Sequence, residues 1–247
     1  MSTVFDLQGV HVRLGAAKQV RALEDVNLRV RQGERVALVG ANGSGKSTLL
    51  RVLHGLLPVE RGEVNVAHTN SSGRAQVAML FQRPHLMRLS ALNNVRLGLW
   101  LQGHSWGQST PRAMQALERV GLPHLAHRNG RALSGGQQQR LALARAWALR
   151  PATWLLDEPT ASLDPHAKRE VEALIAEFAN EDAGDSIPAT LVFSSHNLGQ
   201  VKRLAQRVLY LERGRIFADL PVQAFFNHET LRAHSPEADA FVKGELS

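Results

Sequence analysis

The sequence contains no cysteine. This absence excludes disulfides and thiolate metal sites, and it gives no indication of an oxidising compartment. No apolar run approaches the ~18 residues that a membrane-spanning helix needs, and the N-terminal residues lack the basic and apolar pattern of a secretory signal. We therefore expect a cytoplasmic chain, unless a partner holds it elsewhere.

Acidic residues are in the minority, with 22 Asp and Glu against 29 Lys and Arg, and the formal net charge is +7. Most of the basic residues are arginines spread along the chain, often beside acids, which favours a solvated surface over a nucleic-acid-binding face. The 247 residues, 44% of them hydrophobic, suffice for a compact folded body. We expect one domain over residues 1–247 and no nucleic-acid partner.

The apolar pattern predicts an α/β fold that begins with antiparallel strands. Residues 4–12 and 21–30 alternate as strands do, with Gly15 in a turn between them. Further strands, a helix and a hairpin-like stretch are expected before residue 84, in chain order at 35–39 (strand), 46–57 (helix), 62–66 (hairpin-like) and 76–81 (strand). Residues 1–83 and 151–226 are expected to form the β and nucleotide-binding core.

Residues 84–150 are predicted to form an inserted helical subdomain. The expected helices cover 91–101, 111–120 and 137–149. After the insertion, strands at 153–156 and 190–193 flank a helix at 165–178, as in a βαβ crossover, and a hairpin follows around Gly214. Residues 181–186 are interpreted as a polar loop, and residues 227–247 as a tail with weak periodicity.

The stretch GANGSGKST matches the phosphate-loop pattern G-x-x-x-x-G-K-[ST], after a predicted strand and at the start of a predicted helix. In such a loop backbone N–H groups surround phosphates, the lysine reaches the β- and γ-phosphates, and the hydroxyl after it binds Mg²⁺. The alternative is a glycine turn that binds nothing, which the context disfavours. The predicted nucleotide-binding residues are Gly40, Asn42, Gly43, Ser44, Gly45, Lys46, Ser47 and Thr48.

Two adjacent carboxylates, Asp157 and Glu158, follow the predicted strand in TWLLDEPT. By itself such a pair indicates a surface turn. Together with a phosphate loop it indicates a catalytic site, because parallel sheets bind ligands at the carboxyl ends of their strands. Asp157 is predicted to bind Mg²⁺ with Ser47, and Glu158 to activate the attacking water.

The stretch LSGGQQQRLALARA predicts a helix that begins with a capping box, formed by Ser134 and Gln137. Gly135 and Gly136 leave the helix N-terminus open to an anion, so this is a second predicted phosphate-binding end. The alternative interpretation is a well-capped helix whose Leu141, Ala144 and Ala148 simply pack against the core.

Together, GANGSGKST, LLDEPT and LSGGQ closely resemble the motifs of the ABC transporter ATPase family. Three further positions resemble its Q-loop, D-loop and switch histidine, namely Gln82, the tripeptide ending at Asp164, and His196. The resemblance extends from Leu7 to about Phe226. It implies a P-loop NTPase (RecA-like) core with an N-terminal antiparallel β subdomain and an inserted helical subdomain.

The resemblance also implies a mechanism. Two such domains pair head to tail, so that the phosphate loop of one and the LSGGQ helix of the other enclose each ATP with its Mg²⁺. Gln82 would contact the metal or water, His196 the γ-phosphate, and Asp164 the nucleotide across the pair. The implied partners are a second copy, a transmembrane permease that holds the chain at the inner membrane face and, indirectly, a solute-binding protein.

One position departs from the family pattern. The family usually carries an aromatic residue that stacks on adenine where this chain has Leu14. Leu14 could pack on the base, or His11 could approach it, and the sequence assigns neither. We therefore expect weaker adenine discrimination than in relatives with tyrosine.

The stretch HNLGQVKRLAQRV resembles the ATPases of tungstate-type oxyanion importers. It equally fits an amphipathic helix after the switch histidine. Tungstate or molybdate is the expected cargo, with phosphate or another small solute as the alternative. Two other functions are a soluble ABC ATPase that acts on DNA or ribosomes, and a regulatory module without turnover, against which Glu158 argues.

A cluster of apolar residues after Gln82 is a candidate docking patch for the permease. About half of them are expected to be buried in the helical subdomain instead. The residues are Leu86, Met87, Leu89 and Leu92.

Overall fold

Two β-sheets and nine α-helices make up the described part of a computed structural model, which covers residues 2–15, 20–67, 77–181 and 188–244. The strands are β1 Thr3–Leu14, β2 Val20–Arg31, β3 Arg35–Val39, β4 Arg61–Val66, β5 Val77–Leu80, β6 Thr153–Asp157, β7 Thr190–Ser194, β8 Arg207–Glu212 and β9 Arg215–Pro221. The helices are α1 Lys46–Leu53, α2 Ala91–Leu101, α3 Ser109–Arg119, α4 Gly135–Trp147, α5 Pro165–Asn180, α6 Leu198–Leu204, α7 Val222–Phe225, α8 His228–His234 and α9 Pro236–Val242.

The larger sheet has the strand order β5-β6-β7-β3-β8-β9. Its strands are parallel apart from the β8–β9 hairpin. β6 and β7 are adjacent, and α5 connects them, so the predicted βαβ crossover is confirmed. β3 lies between β7 and β8, which places the residues after β3, β6 and β7 at one edge of the sheet.

The smaller sheet is antiparallel, with the order β2-β1-β4. Apolar side chains on one face of β1 and β2, including Phe5, Val10 and Val26, are buried together with the inner face of α1. The predicted hairpin at residues 62–66 is wrong, because β4 pairs with the far edge of β1 and not with a neighbouring strand in sequence.

Helices α2, α3 and α4 form the inserted helical subdomain between β5 and β6, as predicted. Leu99, Leu117 and Leu141 are fully buried where these helices pack together. The exact boundaries at residues 83/84 and 150/151 stay a prediction. The predicted α/β fold, with its antiparallel β subdomain and helical insertion, is confirmed.

The candidate docking patch does not form one exposed surface. Leu86 and Leu92 are buried because they pack into the core shared with the three inserted helices, and Leu89 is half-buried. Met87 is 50% exposed. Two of the four residues are thus buried, which agrees with the expectation that about half of them would lie in the core of the helical subdomain.

Several element boundaries differ from the prediction, and the largest differences are at the end of α1 and in the C-terminal tail. α1 ends at Leu53 and not at residue 57, because the chain turns at Gly55, whose φ of +79° lies in the left-handed region. Residues 227–244 form α8 and α9, which are capped by Asn227 and Ser235. Gln76 and most of the predicted polar loop, residues 182–186, lie outside the described residues. Within the described ranges, no helix has the length and apolarity to cross a membrane.

Candidate functional site

The carboxyl ends of β3, β6 and β7 bring three predicted motifs together. The phosphate loop follows β3, Asp157 ends β6, and His196 lies two residues after the end of β7. Each strand has a short buried run of apolar residues in its interior, and polar side chains follow where the run ends at the carboxyl end of the strand. The site is therefore positioned by buried strands of the larger sheet.

The phosphate loop folds around the ammonium group of Lys46. Lys46 Nζ donates to the carbonyl oxygens of Gly40, at 2.7 Å, and Ala41, at 2.9 Å. Ser44 Oγ lies 3.4 Å from the same nitrogen. Gly45, with φ +108°, is the N-cap of α1, so the loop leads directly into a helix N-terminus. Asn42 and Gly43 are exposed at the tip of the loop, and Thr48 is buried in the first turn of α1.

Lys46 is in an environment suited to bind an anion. Burial lowers the pKa of its ammonium group, whereas the nearby charges of Glu158 and Asp157 raise it. Burial is the larger of these effects. A phosphate placed at the loop would favour the charged form, so Lys46 can exchange loop carbonyl contacts for a stronger, charge-assisted one.

Asp157 and Ser47 form an oxygen-rich pair that fits Mg²⁺. Ser47 Oγ donates to Asp157 Oδ1 at 2.9 Å, and the carboxylate is 5% exposed. A hydroxyl and a carboxylate are ligands that Mg²⁺ prefers, and the ion usually keeps phosphate oxygens and waters as its remaining ligands. Among the described residues, no group of three His, Cys, Asp or Glu side chains could hold a metal by itself.

Glu158 receives contacts from both of the other predicted catalytic residues. His196 Nε2 lies 2.6 Å from Glu158 Oε1, and Gln82 Nε2 donates to Glu158 Oε2 at 3.3 Å. Glu158 has a φ of +44°, which is unusual for a residue other than glycine and is found at functional sites. The structure thus brings together Gln82, Glu158 and His196. The side chain of Gln82 contacts Glu158 and not the predicted metal ligands Ser47 and Asp157.

Ser194 is a site residue that the sequence reasoning missed. Its Oγ donates to Asp157 Oδ1 at 2.8 Å and accepts the Glu158 N–H at 2.9 Å, so one hydroxyl fixes both carboxylate residues. Ser194 is fully buried. The only available signal was its place at the end of the strand before His196.

The LSGGQ segment lies in a different place. The predicted capping box is present, because Ser134 Oγ accepts from Gln137 N and Gln137 Oε1 accepts from Ser134 N. Ser134, Gly135, Gly136 and Gln137 line a surface pocket with residues of the Ser162–Asp164 turn and α5, and its described lining includes no phosphate-loop residue.

Asp164 lies beside this pocket and caps α5. Its Oδ1 accepts from the backbone N–H groups of Ala167 and His166, and the Ala167 bond is the main reason that the pKa of the carboxyl group is lowered. Within one chain, therefore, Asp164 and the LSGGQ helix do not join the phosphate loop.

Leu14, at the position where the resemblance implies an aromatic residue, is the last residue of β1. It is half-buried and pairs with Val20 of β2. His11 and Arg13 lie on the other face of β1, in a pocket with Glu60 and Arg61. Alternation along the strand thus separates the side chain of His11 from that of Leu14.

Known proteins with similar sequences include several transporter subunits. The ABC transporter family model matches residues 23–161. The glutamate/aspartate import ATP-binding protein GltL of Escherichia coli strain K12 is 37% identical over 217 residues, 84% of this chain and 88% of that protein. The phosphonates import ATP-binding protein PhnC of the same strain is 38% identical over 232 residues, 85% and 87% of the two chains.

A solved structure extends the similarity to the fold. The dimeric post-hydrolysis state of the ATP-binding cassette MJ0796, bound to ADP and Pi, has a TM-score of 0.77 and 29% identity over 88% of this chain and 98% of that one. The family match, the relatives and the arrangement of the phosphate loop, Asp157 and Glu158 agree. The chain belongs to the ABC transporter family and is one of its ATP-binding subunits, an ATPase that works with Mg²⁺.

Proposed function

We propose that this chain powers the import of a small solute by hydrolysing ATP, with Glu158 as the general base. The observation that carries the catalytic assignment is the convergence of Gln82 and His196 on the Glu158 carboxylate, next to the Asp157–Ser47 pair. A carboxylate at this place can accept the proton of the attacking water, and two polar neighbours can hold it in position.

The roles of the other residues follow from their atoms. Lys46 and the phosphate-loop N–H groups hold the phosphates, and Ser47 and Asp157 hold Mg²⁺. When bound, Mg²⁺ neutralises the charge that develops on the phosphate oxygens. Each oxygen of Glu158 has one contact, with His196 or with Gln82, and keeps a further lone pair that can accept the proton of the water. His196 and Gln82 therefore lie beside the proposed position of the water, where they would contact the γ-phosphate and the water or metal.

The LSGGQ surface supports a site shared by two chains. Ser134–Gln137 present an open helix N-terminus, which favours an anion, and they lie apart from the phosphate loop of their own chain. A second copy arranged head to tail would bring the two surfaces together, with Asp164 at the junction. The dimeric form of the structural relative MJ0796 supports this arrangement.

The cargo is a small solute, and the relatives favour amino acids or phosphonates over tungstate. GltL and PhnC are named for the import of glutamate or aspartate and of phosphonates. The stretch that suggested tungstate forms α6, in which Val201 and Leu204 are buried, so its pattern has a packing explanation. We retain tungstate and molybdate only as solutes to be tested.

The remaining partners are a permease at the inner face of the membrane and, through it, a solute-binding protein. Met87 is the exposed apolar residue of the candidate docking patch, and it lies five residues after Gln82. This position could couple the permease to the site. The substitution Met87→Asp should reduce co-purification of the permease. The substitution Leu86→Asp would instead disrupt the core.

One experiment tests the whole proposal. The chain is co-purified with its permease and reconstituted in vesicles, and ATP hydrolysis is measured with each candidate solute and its binding protein. Glutamate, aspartate or a phosphonate should stimulate hydrolysis and enter the vesicles. Stimulation by tungstate alone would show that tungstate is the cargo and not an amino acid or a phosphonate. Binding to DNA or ribosomes without any permease would contradict the proposed importer function.

A further inference from the structure

The turn between β8 and β9 is built against the phosphate loop. Glu212 pairs with Arg215, so Arg213 and Gly214 form a two-residue hairpin loop. Both have positive φ, +48° and +79°. This combination is the type I′ turn, which requires left-handed backbone at both positions and is best served by glycine at the second.

Gly214 connects three segments of the chain. Its N–H donates to the carbonyl oxygen of Ser44 in the phosphate loop at 2.9 Å. Its own carbonyl oxygen accepts the N–H of Glu24 in β2, also at 2.9 Å. The side chain of Glu24 forms an ion pair with Arg215, so the turn is fixed to β2 at both Gly214 and Arg215.

There is no space for a side chain at this junction. A Cβ atom on Gly214 would lie 2.8 Å from the carbonyl oxygen of Ala22 and 3.1 Å from Leu23 Cα. A Cβ atom on Gly45 would meet the same Ala22 oxygen at 2.7 Å. These contacts are with backbone atoms, so no side-chain rotation could relieve them. The two glycines therefore let the turn, β2 and the phosphate loop approach one another closely.

The bond from Gly214 acts on the phosphate loop through peptide geometry. The carbonyl of Ser44 and the N–H of Gly45 belong to one planar trans peptide and point in opposite directions. A donor that fixes the Ser44 carbonyl from outside the loop therefore also fixes the direction of the Gly45 N–H. Gly45 is the N-cap of α1, at the point where the loop would receive a phosphate.

We propose that Gly214 is a positioning residue for ATP, because its bond to Ser44 sets the peptide that orients the Gly45 N–H toward the phosphates. The inference rests on the proposed role of the phosphate loop. The β8–β9 turn, which lies about 170 residues after the phosphate loop in the sequence, would thus contribute to nucleotide affinity.

The test compares Gly214→Ala with Gly55→Ala. Gly55 also has a φ of +79°, but nothing lies within 4 Å of an added Cβ atom, so it reproduces the backbone strain without the clash. Kd for Mg-ATP and the KM and kcat of hydrolysis are measured for both, together with the melting temperature. Because a displaced loop loses its alignment, we expect Gly214→Ala to raise Kd and KM roughly 10- to 100-fold. Gly55→Ala should lower the melting temperature only.

Two further variants separate the possible failures. Arg213→Asn keeps the type I′ turn and should leave Kd unchanged. Lys46→Ala should abolish tight ATP binding, and if it binds ATP as the wild type does, the proposed role of the loop fails. If Lys46→Ala loses binding while Gly214→Ala matches Gly55→Ala in Kd, only the inference about Gly214 is overturned.

A measurement on the wild type covers the case in which Gly214→Ala does not fold. Amide hydrogen exchange is followed by NMR with and without Mg-ATP. Because the Gly214 N–H is bonded to the loop, ATP should slow its exchange more than that of the Gly55 N–H. Equal changes at the two glycines would contradict the proposal.

Discussion

Ser194 links the two carboxylate residues of the candidate site through a single hydroxyl. Removing that hydroxyl in Ser194→Ala leaves the partly buried Glu158 N–H without its acceptor and takes one donor from the buried Asp157. We expect the free energy of unfolding to fall by about 1–3 kcal/mol, the usual cost of buried groups left unpaired. We also expect kcat for ATP hydrolysis to fall more than ATP affinity.

Ser109→Ala is the matched control for this prediction. Ser109 is also buried, and its hydroxyl donates to the Ser105 carbonyl in the helical subdomain. It should lose stability and keep kcat. If Ser194→Ala kept the kcat of the wild type, the linking role of Ser194 would be wrong.

A second prediction for a single residue concerns Leu14. An aromatic ring at the end of β1 could stack on adenine, a contact worth about 1–3 kcal/mol for a base. Leu14→Tyr should therefore strengthen the preference for ATP over GTP, measured as the ratio of the two Kd values. Equal ratios in the wild type and the variant would contradict this interpretation of Leu14.

Among the elements, α4 combines a structural cap with a proposed ligand surface. Ser134→Ala should lower stability by about 1 kcal/mol through loss of the N-cap. Ser90 caps α2 in the same way, with its side chain accepting from Asn93 N, and its loss should cost a similar amount. ATP hydrolysis by the purified subunit should fall in Ser134→Ala and stay normal in Ser90→Ala. Equal rates of hydrolysis in the two variants would contradict a ligand-binding role for Ser134 and leave it only the role of a helix cap.

The sequence was most informative about elements whose pattern and caps agree. Helix α2 has the predicted bounds, and β3 and the βαβ crossover are where apolar runs and glycine signals placed them. Less could be predicted where burial or strand pairing depends on residues far away in the sequence. The burial of Leu86 depends on three helices that follow it in the chain, and β4 pairs with a strand more than 40 residues before it.

Within the site, motifs identified the residue types but could not give their contacts. The family resemblance implies a metal or water contact for Gln82, whereas in the structure its amide donates to Glu158. The part played by Ser194 was not predictable, because a serine after a buried strand has no pattern of its own. The sequence indicates only a turn at Gly214. Its bond to Ser44 could not be predicted, because that bond depends on β8 lying beside β3.

At the scale of the whole molecule, the proposed active site belongs to a pair of chains. Gly135→Asp would place a negative charge at the LSGGQ surface. The substitution fits sterically, because the nearest atom to an added Cβ is Leu163 Cδ2 at 3.9 Å. Neither Gly135→Asp nor Lys46→Ala should hydrolyse ATP alone. A mixture should recover up to about a quarter of wild-type activity, because half of the dimers would have one intact site of two.

Failure of the mixture to recover activity, with both variants folded and able to exchange partners, would contradict a head-to-tail pair. Recovery would depend on protein concentration, since it requires association. Dilution should therefore reduce it, and an excess of either variant should lower it from its maximum.

The most direct test of the account is the solution mass of Glu158→Gln by light scattering. The variant keeps the residues proposed to bind ATP but lacks the proposed base, so a shared site should remain closed around unhydrolysed nucleotide. We expect its mass to double from 27.1 kDa when Mg-ATP is added. A mass that stays at 27.1 kDa while the chain is saturated with ATP would contradict the shared site.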